Sequence, residues 1–97
     1  MVLELAILNV IPGRESDFER AFAEAKSIIA SMPGFLSLEL HRCLEQTNRY
    51  ALLVRWSTLE DHTVGFRQSA EYQRWKQLLH HFYDPFPRVD HFTRVDF

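Results

Sequence analysis

The run Arg49 to Trp56 constrains the fold more than any other stretch of this chain. Tyr50, Leu52, Val54 and Trp56 fall on one face of an extended backbone, and Ala51, Leu53 and Arg55 on the other. Both faces are largely apolar. A strand of that kind is stable only when it lies inside a sheet and both faces are covered. The rest of the chain must therefore supply flanking strands, a helical layer on one side and a cover for the other.

The flanking segments read accordingly. Val2 to Asn9 alternates weakly, with Leu3, Leu5 and Ile7 on one face and Glu4, Ala6 and Leu8 on the other, and Pro12-Gly13 ends it. From about Glu15 to Ser31 the period becomes helical, with Phe18, Phe22, Ala25, Ile29 and Met32 in one stripe. Pro33-Gly34 stops that helix. Leu36, Leu38 and Leu40 then alternate with Ser37, Glu39 and His41, and Gln46-Thr47-Asn48 turns the chain into the Arg49–Trp56 strand. Ser57-x-x-Glu60 or Thr58-x-x-Asp61 forms a capping box for a short helix through Phe66. Ser69 caps a second helix with the stripe Tyr72, Trp75, Leu79 and Phe82. Pro85 and Pro87 lead out to a last strand, Val89 to Val95.

The predicted order is βαββαβ with the second helix split, the ferredoxin-like α+β pattern on a four-stranded antiparallel sheet. It occupies all of residues 1–97 as one domain, with no room for a separate cofactor-binding module. If the leucine faces meet the helices, the opposite sheet face carries Glu4, Glu39, Arg55 and Arg94 with Ala6, Leu8, Leu53 and Phe92. Alternating charges on neighbouring strands, mixed with apolar residues, suit a homodimer packed through that face. A monomer with a few surface ion pairs is the alternative.

Composition removes several function classes. A net charge of -2 and the lack of any basic run argue against nucleic acid. Cys43 is the only cysteine, which excludes an internal disulfide and a thiolate metal cluster and makes it a quiet thiol. No secretory leader or membrane span is legible, so a cytoplasmic location is expected. His80-His81 points two ways around a helix and has no third ligand at i+4, so no metal is expected. No Gly-rich loop supports a nucleotide site.

The segment from Trp56 to Pro87 holds both tryptophans and three of the five histidines. Aromatic side chains there can wall an apolar cavity, and an imidazole can move a proton near neutral pH. His62 is the preferred candidate base and His91 the second. Trp56, Phe66, Tyr72, Trp75 and Tyr50 are candidates to hold a flat aromatic ligand, and Arg67 to stabilise an oxyanion. Each has a plainer role available. Both histidines fit a hydrogen-bonded core or rim, and the stripe from Tyr72 to Phe82 fits a helix core.

Particular residues then bring in a resemblance. They are Pro12-Gly13-Arg14-Glu15-x-x-Phe18, Met32-Pro33-Gly34-Phe35, Arg42-Cys43-Leu44-Glu45, Arg55-Trp56-Ser57-x-x-Glu60-Asp61-His62, Gly65-Phe66-Arg67-x-Ser69-x-x-Tyr72-x-x-Trp75 and the run His81 to Pro87. Together they resemble the antibiotic biosynthesis monooxygenase domain family across essentially the whole chain. The resemblance implies a dimeric α+β barrel with one cavity per subunit. It also implies cofactor-independent oxygenation, by molecular oxygen, of a phenolic or quinol-like aromatic substrate. A non-catalytic dimer of the same fold, binding a small molecule or serving a stress response, is the competing expectation. A haem-degrading branch places a tryptophan where this chain has Phe66 and a histidine ligand where it has Lys76, and Asn9 is shifted along its strand. Haem chemistry is not expected.

Overall fold

The computed structural model describes residues 1–97. Four strands form one open antiparallel sheet: β1 (Val2–Asn9), β2 (Phe35–Arg42), β3 (Arg49–Trp56) and β4 (Val89–Phe92), in the order β2-β3-β1-β4. Helices α1 (Glu15–Ala30) and α2 (Ala70–Leu79) cover one face. A π-helical turn (Asp61–Phe66) precedes α2, and a short 3-10 turn (His80–Phe82) follows it. This is the expected ferredoxin-like α+β arrangement, with β3 central and the second helical layer in two pieces.

Local chemistry explains the boundaries. Gly34 ends the α1–β2 connection at φ +81°, a conformation that costs a Cβ-bearing residue strain. The hairpin between β2 and β3 closes where the Arg49 N–H donates to the Gln46 carbonyl at 3.0 Å. Thr58 and Asp61 cap the π-helical turn reciprocally: Thr58 N–H donates to Asp61 Oδ2 at 3.1 Å and Asp61 N–H to Thr58 Oγ1 at 3.2 Å. Ser69 Oγ accepts the Tyr72 N–H at 3.1 Å and starts α2.

Between sheet and helices, Phe18 of α1 sits with its ring centroid 4.9 Å from Tyr50 and 5.8 Å from Phe82. Phe22 meets Trp75 of α2 edge-on at 5.8 Å. These tilted contacts between large rings join α1 to the sheet and to α2 within an apolar core that also includes Leu8, Ile29, Leu52, Val54 and Leu79. Thus the stripe Tyr72, Trp75, Leu79 and Phe82 contributes to the core, with Trp75 and Leu79 buried.

Two expectations about the sheet are corrected. First, β1 presents Glu4, Ala6 and Leu8 to the helices, all three buried, and turns Leu3, Leu5 and Ile7 outward. The register decides this: Glu4 lies opposite Val54 and Leu8 opposite Tyr50, so the even residues of β1 share the buried face of β3. Second, an irregularity between Phe35 and Ser37 in β2 resets the alternation. Phe35 packs edge-on against Trp56 at 6.0 Å, while Leu36 is left exposed. A bulge shifts every side chain before it to the other face.

The uncovered face therefore differs from the expected one. Leu3, Leu5 and Ile7 lie opposite Arg55, Leu53 and Ala51, and Phe92 lies opposite Leu3. Glu4 is absent from it. Arg55 pairs with Glu39 at 3.0 Å as a cross-strand contact of opposite charge. Arg94 falls beyond the end of β4, which stops at Phe92 rather than Val95, and pairs with Asp96 at 3.7 Å. No helix of the chain is long and apolar enough to cross a membrane.

Candidate active site

A cavity of about 340 Å³ opens between the sheet and the helical layer. Its floor is Glu4, Ala6 and Leu8 of β1 with Leu52 of β3 and Val89 of β4. The π-helical turn and the residue after it supply His62, Phe66 and Arg67, and α2 supplies Tyr72 and Trp75. His80, Tyr83, Phe86 and Pro87 close the far side. That last segment is held in place by backbone bonds from Ile11 N–H to the Phe82 carbonyl at 2.8 Å and from Asp84 N–H to the Asn9 carbonyl at 2.9 Å. Ala6 at the floor is why there is room: a larger side chain at that sheet position would fill the space.

The lining is aromatic with few polar groups. Phe66 meets Tyr72 edge-on at 5.2 Å and Trp75 edge-on at 5.6 Å. His80 stands edge-on to Phe86 at 5.0 Å and to Tyr72 at 5.8 Å. A space with such walls and a few convergent polar atoms is the usual form of a small-molecule site.

The polar atoms converge at one end. Glu4 is only 5 % exposed and His62 only 3 %. Trp56 Nε1 donates to Glu4 Oε1 at 2.9 Å. The same oxygen lies 3.4 Å from His62 Nε2, and His62 Nδ1 lies 2.8 Å from His91 Nε2. Trp56 stacks on the His62 ring, 5.3 Å between centroids and 18° between planes. Glu4 and His91 are direct cross-strand neighbours in β1 and β4. The ring of His62 is thus held by stacking on one side and by contacts at both nitrogens.

Burial governs the charge states. It pushes the Glu4 carboxyl up to about 7, against the opposing effects of the Trp56 N–H and the Arg67 charge. Burial, reinforced by Arg67 and His91, pushes the His62 imidazole down to about 3. His91 is lowered for the same first reason and by Arg67, with Asp90 opposing. Although Glu4 and His62 are close enough for an ion pair, between about pH 3 and 7 they form a neutral acid beside a neutral imidazole. Neither can be charged cheaply at that depth of burial. Burial likewise raises the hydroxyls of Tyr72 and Tyr83 and lowers His80, with Lys76 adding to the last.

The sequence candidates are distributed unevenly. His62, Phe66, Arg67, Tyr72 and Trp75 line the cavity. Trp56 stands behind its wall, fully buried, and His91 reaches it only through His62. Tyr50 lies elsewhere: its hydroxyl donates to Glu19 Oε2 at 2.6 Å, beside an Arg42–Glu19 ion pair. Sequence reasoning missed Glu4, because an acid alternating with leucines reads as an outward residue. His80, Tyr83, Phe86 and Pro87 were missed because an imidazole outside the core stripe and a proline-rich exit carry no pattern that locates a cavity. No group of three His, Cys, Asp or Glu side chains converges as a metal-ligand set.

Comparisons with known proteins bear on the fold and the family. YczJ of Bacillus subtilis (strain 168), an uncharacterized protein, is 55% identical over 95 residues, spanning 98% of this chain and 100% of its own. A crystal structure from Bordetella bronchiseptica named for the antibiotic biosynthesis monooxygenases is 39% identical, covers 97% of this chain and 96% of its own, and superposes with a TM-score of 0.93. SnoaB of Streptomyces nogalater, a cofactor-independent oxygenase, shares the fold at a TM-score of 0.85 with 20% identity, covering 99% of this chain and 94% of its own. The family model for antibiotic biosynthesis monooxygenase matches residues 1–78, and the chain belongs to that family.

Proposed function

We propose that this chain is a cofactor-independent monooxygenase acting on a phenolic or quinol-like aromatic small molecule, and that it works as a homodimer. The observation that carries this reading is the cavity itself. Aromatic walls meet a polar end where Glu4, His62 and Arg67 come together. Phe66, Tyr72 and Trp75 would stack a planar ligand. The Glu4–His62–His91 cluster would receive its proton, and Arg67 would offset the negative charge left on oxygen.

The reaction balances without an external reductant for a substrate of the anthrone type. Deprotonation gives a delocalised, electron-rich anion whose ring carbon bonds to molecular oxygen. The peroxide O–O bond then breaks, leaving one oxygen as a ring carbonyl and releasing the other as water, so that CH₂ and O₂ become C=O and H₂O. The chain's own part is to deprotonate, orient and exclude bulk water.

The dimer reading rests on the uncovered sheet face. Leu3, Leu5, Ile7, Leu53 and Phe92 form an apolar surface there, and the pair Arg55–Glu39 lies beside it. A face of that character is poorly suited to open water, and a second copy would cover it and complete a barrel.

Oxygen consumption with a panel of anthrones and hydroquinones tests the catalytic reading. Turnover of at least one of them, reduced at least tenfold in His62→Ala, is the expected result. Binding of the panel with no oxygen consumed by any member would overturn it in favour of a binding protein.

A further inference from the structure

The line Glu4–His62–His91 joins the closed end of the cavity to the edge of the sheet. Glu4 and His62 both line the cavity and are buried, and His91 is half-buried on the edge strand β4. Successive polar atoms stand 3.4 Å apart (Glu4 Oε1 to His62 Nε2) and 2.8 Å apart (His62 Nδ1 to His91 Nε2). The two imidazoles are used end to end, one nitrogen of His62 facing each neighbour. Trp56 stacks on the His62 ring along this line, 5.3 Å between centroids.

We infer that Glu4 is the group that takes the ligand's proton and that His62 and His91 carry it out to the sheet edge by a paired tautomer change. The inference rests on the proposed function and specifies how its proton leaves. The bookkeeping is complete with no imidazolium formed. Before transfer, Glu4 is protonated, His62 carries its proton on Nδ1 and His91 on its own Nδ1. Glu4 gives its proton to His62 Nε2, His62 Nδ1 gives its proton to His91 Nε2, and His91 Nδ1 releases one to solvent. Glu4 is left ionised and able to accept the next proton from the ligand hydroxyl. Once the cavity empties, the rings regain their starting tautomers: solvent protonates His91 Nδ1, His91 Nε2 returns its proton to His62 Nδ1, and His62 Nε2 releases one to cavity water.

Three features of the site favour this over direct proton uptake by His62. An imidazole held near 3 is a poor proton acceptor, whereas a carboxyl near 7 exchanges its proton readily around neutrality. Both nitrogens of His62 already face a partner, leaving none for the ligand. Only one oxygen of Glu4 is engaged by Trp56 and His62, so the other is free to meet a ligand. The titratable and charged groups around the relay are Arg67 at the end of the π-helical turn, Tyr72 of α2, His80 across the cavity and Asp90 beside His91. Arg67 stabilises ionised Glu4 and opposes protonation of either imidazole, which favours transfer between neutral rings.

Nitrogen-15 NMR of the ligand-free, histidine-labelled full chain tests the relay independently of turnover. In the wild type, His62 and His91 are expected to exchange their protonated nitrogens together, with one midpoint near pH 7 that matches ionisation of the Glu4 carboxyl. Glu4→Gln keeps an oxygen for the Trp56 N–H and should abolish that shared step. His91→Gln should leave the Glu4 ionisation in place but uncouple His62 from it, and preserved amide dispersion reports that the variant is folded. Conversion of either histidine to imidazolium at pH 7, or a shared step that survives Glu4→Gln, would overturn the relay. A coupled step in a protein that consumes no oxygen with any substrate keeps the relay and rejects the oxygenase reading. Oxygen consumption unchanged in Glu4→Gln keeps the oxygenase reading and rejects the relay.

Discussion

Trp56 of β3 donates its indole N–H to Glu4 of β1 across 2.9 Å, with Trp56 fully buried and Glu4 nearly so. This bond supports the acidic end of the cavity from behind. Its removal in Trp56→Phe would leave the Glu4 oxygen with one fewer donor in a site that water barely reaches. The expected cost is about 1–3 kcal/mol for the buried group, plus a contribution from lost ring area. Urea denaturation at pH 8, where Glu4 is ionised, should show a larger loss than at pH 5, where it is neutral.

Stability against pH should reveal two opposed contributions. Glu4 is raised from 4.5 to about 7, so its contribution is full below 4.5 and is lost as pH rises toward 7. His62 is lowered from 6.5 to about 3, so its contribution is full above 6.5 and is lost as pH falls toward 3. Between pH 4.5 and 6.5 the slopes cancel. Relative to the wild-type profile, Glu4→Gln should make the unfolding free energy rise with pH across that window by about 1.4 kcal/mol per unit, and His62→Gln should make it fall at a similar rate. Parallel profiles in both variants would contradict this assignment of charge states.

Ser69 joins the π-helical turn to α2. Its hydroxyl accepts from Tyr72 N–H and donates to the Phe66 carbonyl at 2.5 Å, linking two residues of the cavity wall. Ser69→Ala should cost about 1 kcal/mol by denaturant titration. Because Phe66 and Tyr72 both lose a tether, affinity for an aromatic ligand should fall in the same variant.

Gly34 packs against Asp61. A Cβ built at Gly34 would lie 2.1 Å from Asp61 Oδ2, and the backbone is already at φ +81°. Gly34→Ala should therefore cost more than the roughly 1 kcal/mol attributable to backbone strain alone. Asp61→Ala removes the clash but also the reciprocal cap with Thr58. A double-mutant cycle should show non-additivity above about 0.5 kcal/mol.

The proposed dimer gives the last expectation. Leu5 and Leu53 are cross-strand partners on the uncovered face. Leu53→Glu places a carboxylate among apolar neighbours there and should yield a monomer by light scattering while the wild type runs as a dimer. A wild-type mass of one chain at micromolar concentration would end the dimer reading.

The periodicities alone determined the element order, the central place of β3 and its buried face. That face needed no further information, because Tyr50, Leu52, Val54 and Trp56 are too large and apolar to be left outside. The capping residues Thr58, Asp61 and Ser69 were legible for a similar reason: their bonds are local and lie within three residues. Family membership was legible because its motifs extend along the chain.

Only the tertiary structure decided which face of β1 turns inward. In that strand Leu3, Leu5 and Ile7 lie outward while an acid lies inward beside Ala6 and Leu8, against the ordinary preference at those positions. The reason is register: pairing Glu4 opposite Val54 brings its carboxyl onto the Trp56 N–H and beside His62, and these partners lie far apart in sequence. A pattern rule weighs each residue's own hydrophobicity. It cannot weigh a hydrogen bond to a residue 52 positions away, and that bond helps make burial of Glu4 tolerable.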